Sequence, residues 1–417
     1  MEHLYITGQN KLSGSIDIQG AKNSVLPILA GTILNPNISV IHNCPNLSDV
    51  QSAIEILRYI GCKVEKKGKT ITVDAKNITK SSIPDDLMRE MRSSVMFLGP
   101  IMARTGSANL TFPGGCELGP RPIDLHILAL ERLGCVFDEN GVVINGKVEA
   151  LKGCDIHLSF PSVGATENAL MTAVYAKGKT KIINSAREPE IVDLANYLKK
   201  LGAKIKGAGE STIEVEGGIV PTQIEHTVMS DRIVASTYLT ATAMTCGEIE
   251  ICKVNPEHFL AVTEVLKQAG CSIKTYDDKV LLKTNSKRLQ PIKPIKTLPY
   301  PGFPTDAQAI IMSATTIADG VSVFVENIFE SRYRHVNELL SLNADIKIFG
   351  KTCIVTGKEN LIGAKVTATD LRGGTALVLA GLVAEGVTEV TEISHILRGY
   401  DEIDKVLCSL GAEVLKK

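Results

Sequence analysis

Eight charged residues and one thiol stand where this chain could do chemistry. The stretch "TFPGGCELGPRPIDLH" at 111–126 places Cys116 among Pro113, Gly114, Gly115, Gly119, Pro120 and Pro122, with Arg121 close by. A segment so rich in glycine and proline cannot form an ordinary buried element. It reads as a surface loop before a helix beginning near Pro122, able to close over a ligand. Cysteines are usually small core residues, but a thiol in such a loop is accessible. Neighbouring cations would lower its pKa below the free value of about 8.5, with Glu117 opposing. The expectation is a working cysteine.

The other residues recur at a period. Lys22, Arg92, Ser162, Arg232, Asp306 and Arg372 follow one another at steps of 70, 70, 70, 74 and 66. Each opens a segment of small apolar residues: "SVLPILAGTIL", "SSVMFLGPIMA", "ATENALMTAVYA", "IVASTYLTATAMT", "DAQAIIMSATTIA" and "GGTALVLAGLVA". Unpaired N–H groups and the positive dipole end of a helix favour phosphate and carboxylate. Lysine and arginine there add charge, and Arg121 and Arg398, each before an amphipathic helix, add the forked donors that suit a polyanion. Asp306 has two readings. "TDAQ" is a capping-box pattern through Thr305 and Gln308, and the carboxylate is also a candidate base. Asp370, before Arg372 in "ATDLRGG", is open in the same way. No HExxH pair, complete P-loop or dinucleotide fingerprint is present, so the chemistry expected is metal-free acid/base work, with no cofactor.

The positioning elements come from a second repeat. "RYIGCKV", "ERLGCVF", "KKLGAKI", "KQAGCSI", "LSLNADI" and "CSLGAEV" carry their fourth residues at Gly61, Gly134, Gly202, Gly270, Asn343 and Gly411. The spacings are 73, 68, 68, 73 and 68, so six units fill the chain. Each closes an amphipathic helix, such as "EIVDLANYLKKLG", with glycine (Asn343 once) at a left-handed C-cap. A strand pair follows, such as "KVEKK" and "TITVDA", with "KKGK" as its turn. Cys62, Cys135 and Cys271 stand where other copies have alanine and read as core. The apolar helices must be buried all round, giving an α/β fold with helices inside and sheets outside.

Lys and Arg total 45 against 46 Asp and Glu. There is no global field to draw nucleic acid or an anionic membrane, and the apolar runs are too short to span a bilayer. The start lacks signal-peptide character. A cytoplasmic protein with reduced thiols is expected, without membrane insertion or nucleic-acid partners.

The motifs "GAKNSVLPILA", "FPGGCELGPRPIDLH", "PSVGATENALM", "NSAREPEIVDLANYLKKLGAKI", "FPTDAQA", "DLRGGTALVLAGLVAEG" and "RGYDEIDKVLCSLGA" together resemble the enolpyruvyl transferase family that acts on UDP-N-acetylglucosamine at the first committed step of peptidoglycan synthesis. The resemblance implies two inside-out α/β barrels of three βαβαββ-type repeats each, residues 22–229 forming one and 1–21 with 230–417 the other, with substrates between them. It also implies addition of the sugar 3-hydroxyl to phosphoenolpyruvate, then elimination of phosphate. Cys116 would serve as acid, adduct-forming nucleophile or product-release group, and Asp306 as base. Asp370 would help remove the methyl proton. Lys22, Arg92, Arg121, Arg372 and Arg398 would hold phosphoenolpyruvate, Lys22 and Arg398 also acting in catalysis. Asn23, Arg92, Arg121, Pro122, Ile123, Asp124, Leu125, Ser162, Val163, Gly164, Asp306 and Ile328 would hold the UDP-sugar.

Phe160 departs from relatives that carry lysine there, and the chain has no tryptophan to stack on a sugar. A shikimate-type enolpyruvyl transferase is the near alternative, disfavoured by the "PGGCELGPRP" loop. A ring-shaped DNA clamp would need charged inner helices, which are absent. A weakly catalytic regulatory paralogue has nothing in its favour, since every motif residue is present.

Overall fold

The computed structural model describes residues 2–111, 123–139, 143–220 and 222–417. Cys116, Arg121 and Pro122, and the side chain of Arg92, lie outside the described residues. No helix among those described is long and apolar enough to cross a membrane.

Each repeat closes as the sequence pattern demands. The amphipathic helices Ser48–Tyr59 and Pro189–Lys200 keep a polar face outward and bury the residues three and four apart. At their ends Gly61, Gly134, Gly202, Gly270 and Gly411 have φ between 98° and 110°, and Asn343 has 69°. This left-handed region admits glycine without strain and asparagine at modest cost, which explains the single asparagine among five glycines.

The returning strands form six four-stranded sheets with one pattern. In one, Ile224–Thr227 runs parallel to Ile38–His42, which is antiparallel to Thr70–Asp74, itself antiparallel to Lys63–Lys67. Side chains alternate between faces along each strand, so Ile71 and Val73 are buried while Thr70 and Thr72 are not.

The inner helices are Lys22–Gly31, Leu98–Thr105, Val163–Ala173, Arg232–Met244, Thr305–Thr315 and Leu371–Gly381. All thirteen residues of Arg232–Met244 are buried. Truncating a side chain such as Leu239, with no exposed surface, to alanine would cost about 2–5 kcal/mol. The second helix is shorter than expected, because Arg92–Phe97 is a 3-10 turn. Pro100 lacks an N–H, so it is tolerated only in the first turn of the α-helix that starts at Leu98.

Two compact units result, one holding residues 2–19 and 230–417, the other the described residues from 20 to 229, each with its own hydrophobic core and three sheets. Within each unit the apolar helices lie inside and the sheets outside, the inside-out α/β barrel. The sixth repeat is completed from the start of the chain. Leu4–Thr7 lies between Val387–Thr391 and Glu413–Lys416, antiparallel to both, where other repeats use the second strand of their own hairpin.

Candidate active site

In the unit containing residues 230–417, the helices Arg232–Met244, Thr305–Thr315 and Leu371–Gly381 pack side by side, and their N-terminal side chains meet. Asp231 caps the first through Oδ1, which accepts from Ile233 N at 2.9 Å and Val234 N at 3.1 Å. Asp370 caps the third through Oδ1, accepting from Arg372 N at 2.9 Å and Gly373 N at 3.0 Å. The middle helix has Pro304 at the N-cap position and no side-chain cap. The capping box expected of "TDAQ" does not form. Thr305 lies inside the helix and its hydroxyl donates to the buried Glu326 at 3.0 Å, while Gln308 points to Met312 Sδ at 3.8 Å.

Asp306 is left to other work. Its Oδ1 accepts from Arg332 Nη2 at 3.0 Å and its Oδ2 from Arg372 Nη2 at 3.1 Å. The Arg332 and Arg372 side chains are 2% and 4% exposed against 28% for Asp306, so the cations are the deeper partners. Burial alone would raise the Asp306 carboxyl. Arg372, Arg332 and Arg232 outweigh it and hold that carboxyl well below the usual carboxylate range. Burial disfavours the charged guanidinium of Arg372, but Asp306, then Tyr400 and Asp231, keep its pKa above the ordinary value. Arg372 Nη1 also donates to the Tyr400 hydroxyl at 3.4 Å, which is 2.8 Å from Thr237 Oγ1. Arg332 Nη2 donates as well to Thr305 O at 2.8 Å, and its Nε has no acceptor among the described residues. Arg398 is half-buried at the end of the short helix Ser394–Leu397. Ile328 is half-buried, its N–H held by Glu326 Oε1 at 2.8 Å.

In the other unit, Lys22 Nζ lies 2.7 Å from Asp49 Oδ2, with side chains 11% and 4% exposed. An ammonium so buried requires such a partner. Asn23 beside it is half-buried. Ser162 caps the helix Val163–Ala173, its Oγ accepting from Ala165 N at 3.4 Å. A side chain at Gly164 would collide with His126, whose Cε1 would be 2.8 Å from the added carbon. The ring of His126 is fixed by Asn168. Gly99 N donates to Asn168 Oδ1 at 3.0 Å, so the amide nitrogen must be the donor to Val95 O at 3.0 Å and to His126 Nδ1 at 2.8 Å. That leaves the neutral imidazole proton on Nε2. Asn168 thereby ties this helix to the residues just after Arg92. Ile123 is buried, Asp124 exposed and Leu125 half-buried at the start of Asp124–Arg132. Phe160 is 43% exposed.

Arg332, Asp231, Asp49 and Tyr400 were not singled out from the sequence. Arg332 had a signal, since "SRYRHVNEL" precedes an outer helix as "RPIDLH" and "RGYDEID" do. Asp49 had only the general preference for acids in a first helical turn.

The family model for EPSP synthase (3-phosphoshikimate 1-carboxyvinyltransferase) matches residues 6–407. The chain belongs to the EPSP synthase family of enolpyruvyl transferases. A curated relative of this family member, UDP-N-acetylglucosamine 1-carboxyvinyltransferase 2 of Caldanaerobacter subterraneus subsp. tengcongensis, is 49% identical over 411 residues, covering 99% of this chain and 98% of the relative. UDP-N-acetylglucosamine 1-carboxyvinyltransferase of Geobacter metallireducens is 44% identical, covering 99% of both. Among solved structures, the enolpyruvyl transferase NikO of Streptomyces tendae superposes with a TM-score of 0.89 at 24% identity, over 100% of this chain and 99% of that one. EPSP synthase of Acinetobacter baumannii gives 0.75 at 18% over 100% of both. These two structures establish the enolpyruvyl transferase fold for the chain.

Proposed function

We propose that the chain transfers the enolpyruvyl group of phosphoenolpyruvate to the 3-hydroxyl of UDP-N-acetylglucosamine with release of phosphate. The full-length likeness to enzymes named for that activity supports the choice of acceptor over a shikimate phosphate. The geometric observation that carries the mechanism is the Asp306 carboxylate gripped on both oxygens by buried guanidinium groups, Arg372 at an inner-helix N-terminus and Arg332 from the loop before an outer helix.

In that state Asp306 is a weak base. Phosphoenolpyruvate brings a carboxylate and a phosphate that compete for Arg372, Arg332 and Arg398, with Lys22, Arg92 and Arg121 completing the clamp. As substrate takes guanidinium donors away from Asp306, its proton affinity rises. It then removes the proton of the sugar 3-hydroxyl as that oxygen bonds to C2 of phosphoenolpyruvate. The methylene carbon gains a proton, with Cys116 as donor, and becomes a methyl group. Elimination reverses the sense. A methyl proton leaves, the C2–phosphate oxygen bond breaks, and phosphate departs. Each proton transfer by a positioned group contributes about 10²–10⁴ in rate, and donors aimed at developing charge supply the rest. Asp370, engaged as a helix cap, holds Arg372 in place, and its second oxygen is the candidate for the methyl proton. Asn23, residues 122–125, Ser162, Val163, Gly164 and Ile328 take the nucleotide sugar. A cytoplasmic location and a place in cell-wall precursor supply go with this reading of the substrates.

The test is phosphate release by the purified chain. Release is expected only when phosphoenolpyruvate and UDP-N-acetylglucosamine are both present. Release with shikimate 3-phosphate instead, or none with either acceptor, would overturn the reading.

A further inference from the structure

Gln19 belongs to none of the groups above. It follows the strand Ser13–Asp17 and is 9% exposed. Its carboxamide makes two hydrogen bonds to one loop. Nε2 donates to Gly399 O at 3.1 Å, and Oε1 accepts from Asp401 N at 2.9 Å. One planar amide thus brackets Tyr400 as a neighbouring β-strand would. The loop has little other freedom. A Cβ on Gly399 would lie 2.7 Å from Leu371 Cδ1, so the backbone is pressed against the residue before Arg372. Tyr400 is 1% exposed and turns its hydroxyl to Arg372 Nη1 at 3.4 Å. Arg398 immediately precedes the bracketed residues. The Gln19 carbonyl also accepts from Asp231 N at 2.9 Å, at the cap of the helix Arg232–Met244. A single buried residue therefore joins the backbone beside Arg398, the tyrosine that backs Arg372, and the N-cap next to Arg232.

We infer that Gln19 is a positioning residue for the phosphoenolpyruvate clamp, setting Arg398 directly through the loop backbone and Arg372 through Tyr400. The inference rests on the assignment of Arg398 and Arg372 to that clamp. A carboxamide is required because the loop presents one acceptor and one donor. Leucine supplies neither, and glutamate keeps the bond to Asp401 N while facing Gly399 O with a second acceptor.

A purely structural residue would affect the two substrates alike, or stability alone. Steady-state kinetics on full-length Gln19→Leu separates these. The KM for phosphoenolpyruvate is expected to rise about tenfold, the scale of one to two buried hydrogen bonds. The KM for UDP-N-acetylglucosamine should stay within about twofold. If Gln19→Leu does not fold, Gln19→Glu and Tyr400→Phe are read by the same criterion. Equal rises in both KM values, or none, overturn the inference. Arg398→Gln is the control. An unchanged KM for phosphoenolpyruvate there would remove the clamp assignment itself, whereas a raised one beside an unchanged Gln19→Leu defeats the role of Gln19 alone.

Discussion

Asp306 Oδ2 and Arg372 Nη2 meet at 3.1 Å although 66 residues separate them. The two residues open neighbouring inner helices in successive copies of one structural unit. The fold brings equivalent helix starts to the same end of the unit, so a duplicated module supplies both a carboxylate and its counter-cation. Arg332, from the loop before an outer helix, completes the grip on the other oxygen. The result is a carboxylate held ionised by two buried guanidinium groups.

Asp306→Asn is expected to retain substrate binding and lose turnover by about 10²–10⁴, measured by phosphate release and by titration of nucleotide sugar. The same variant leaves two buried guanidinium groups without their counter-charge, a change that costs about 3–5 kcal/mol. Because the folded carboxyl lies below its unfolded value, its contribution to stability is complete above about pH 3.9 and is lost only as pH falls below that. Thermal midpoints of wild type and variant should therefore differ by a constant amount from pH 7 to pH 5. A gap that closes within that range would show that the carboxyl is not held low.

Cys44, Cys62, Cys135 and Cys353 are buried and burial pushes each up to about 12, and Cys271 to about 11. Such thiols are protonated and shielded at neutral pH. A phosphonate epoxide that mimics phosphoenolpyruvate should alkylate Cys116, faster with UDP-N-acetylglucosamine bound. Peptide mapping that places the label on exposed Cys408, with Cys116 unmodified, would remove the working thiol from the mechanism.

Periodicity made the fold legible. A left-handed helix end needs glycine or asparagine, and a helix buried on all sides needs small apolar residues, so both repeats leave marks that composition alone reveals. Arg232, Asp306 and Arg372 were found the same way, by register. What register could not supply was partnership. Lys22 reads as a free cation at a helix start, but Asp49 holds it at 2.7 Å from a different helix. "TDAQ" reads as a capping box, but buried Glu326, 21 residues on, takes the threonine hydroxyl. The place of Arg332 before an outer helix is visible in the sequence, but its partnership with Asp306 is made only in space. Tertiary ion pairs carry no short-range signature, and they decide which charged groups are basic and which are fixed.

His335 supplies a pH dependence of its own. It is fully buried, with Nδ1 3.2 Å from Arg332 O and no partner for Nε2 among the described residues. Nδ1 must carry the proton of the neutral ring, since a carbonyl only accepts. Burial pushes the imidazole from 6.5 down to about 4, with Asp370 opposing and Arg332 assisting. The folded state thus resists protonation that the unfolded chain accepts. Stability is complete above pH 6.5 and falls as pH drops towards 4, by about 3 kcal/mol over that window. His335→Asn keeps a donor near Arg332 O and removes the titration. Chemical denaturation should find the variant less stable than wild type at pH 7.5, and should find its stability nearly flat between pH 6.5 and 4.5 where wild type declines. Parallel declines in the two proteins would assign the acid sensitivity elsewhere, and would leave His335 a packing residue whose charge state never changes.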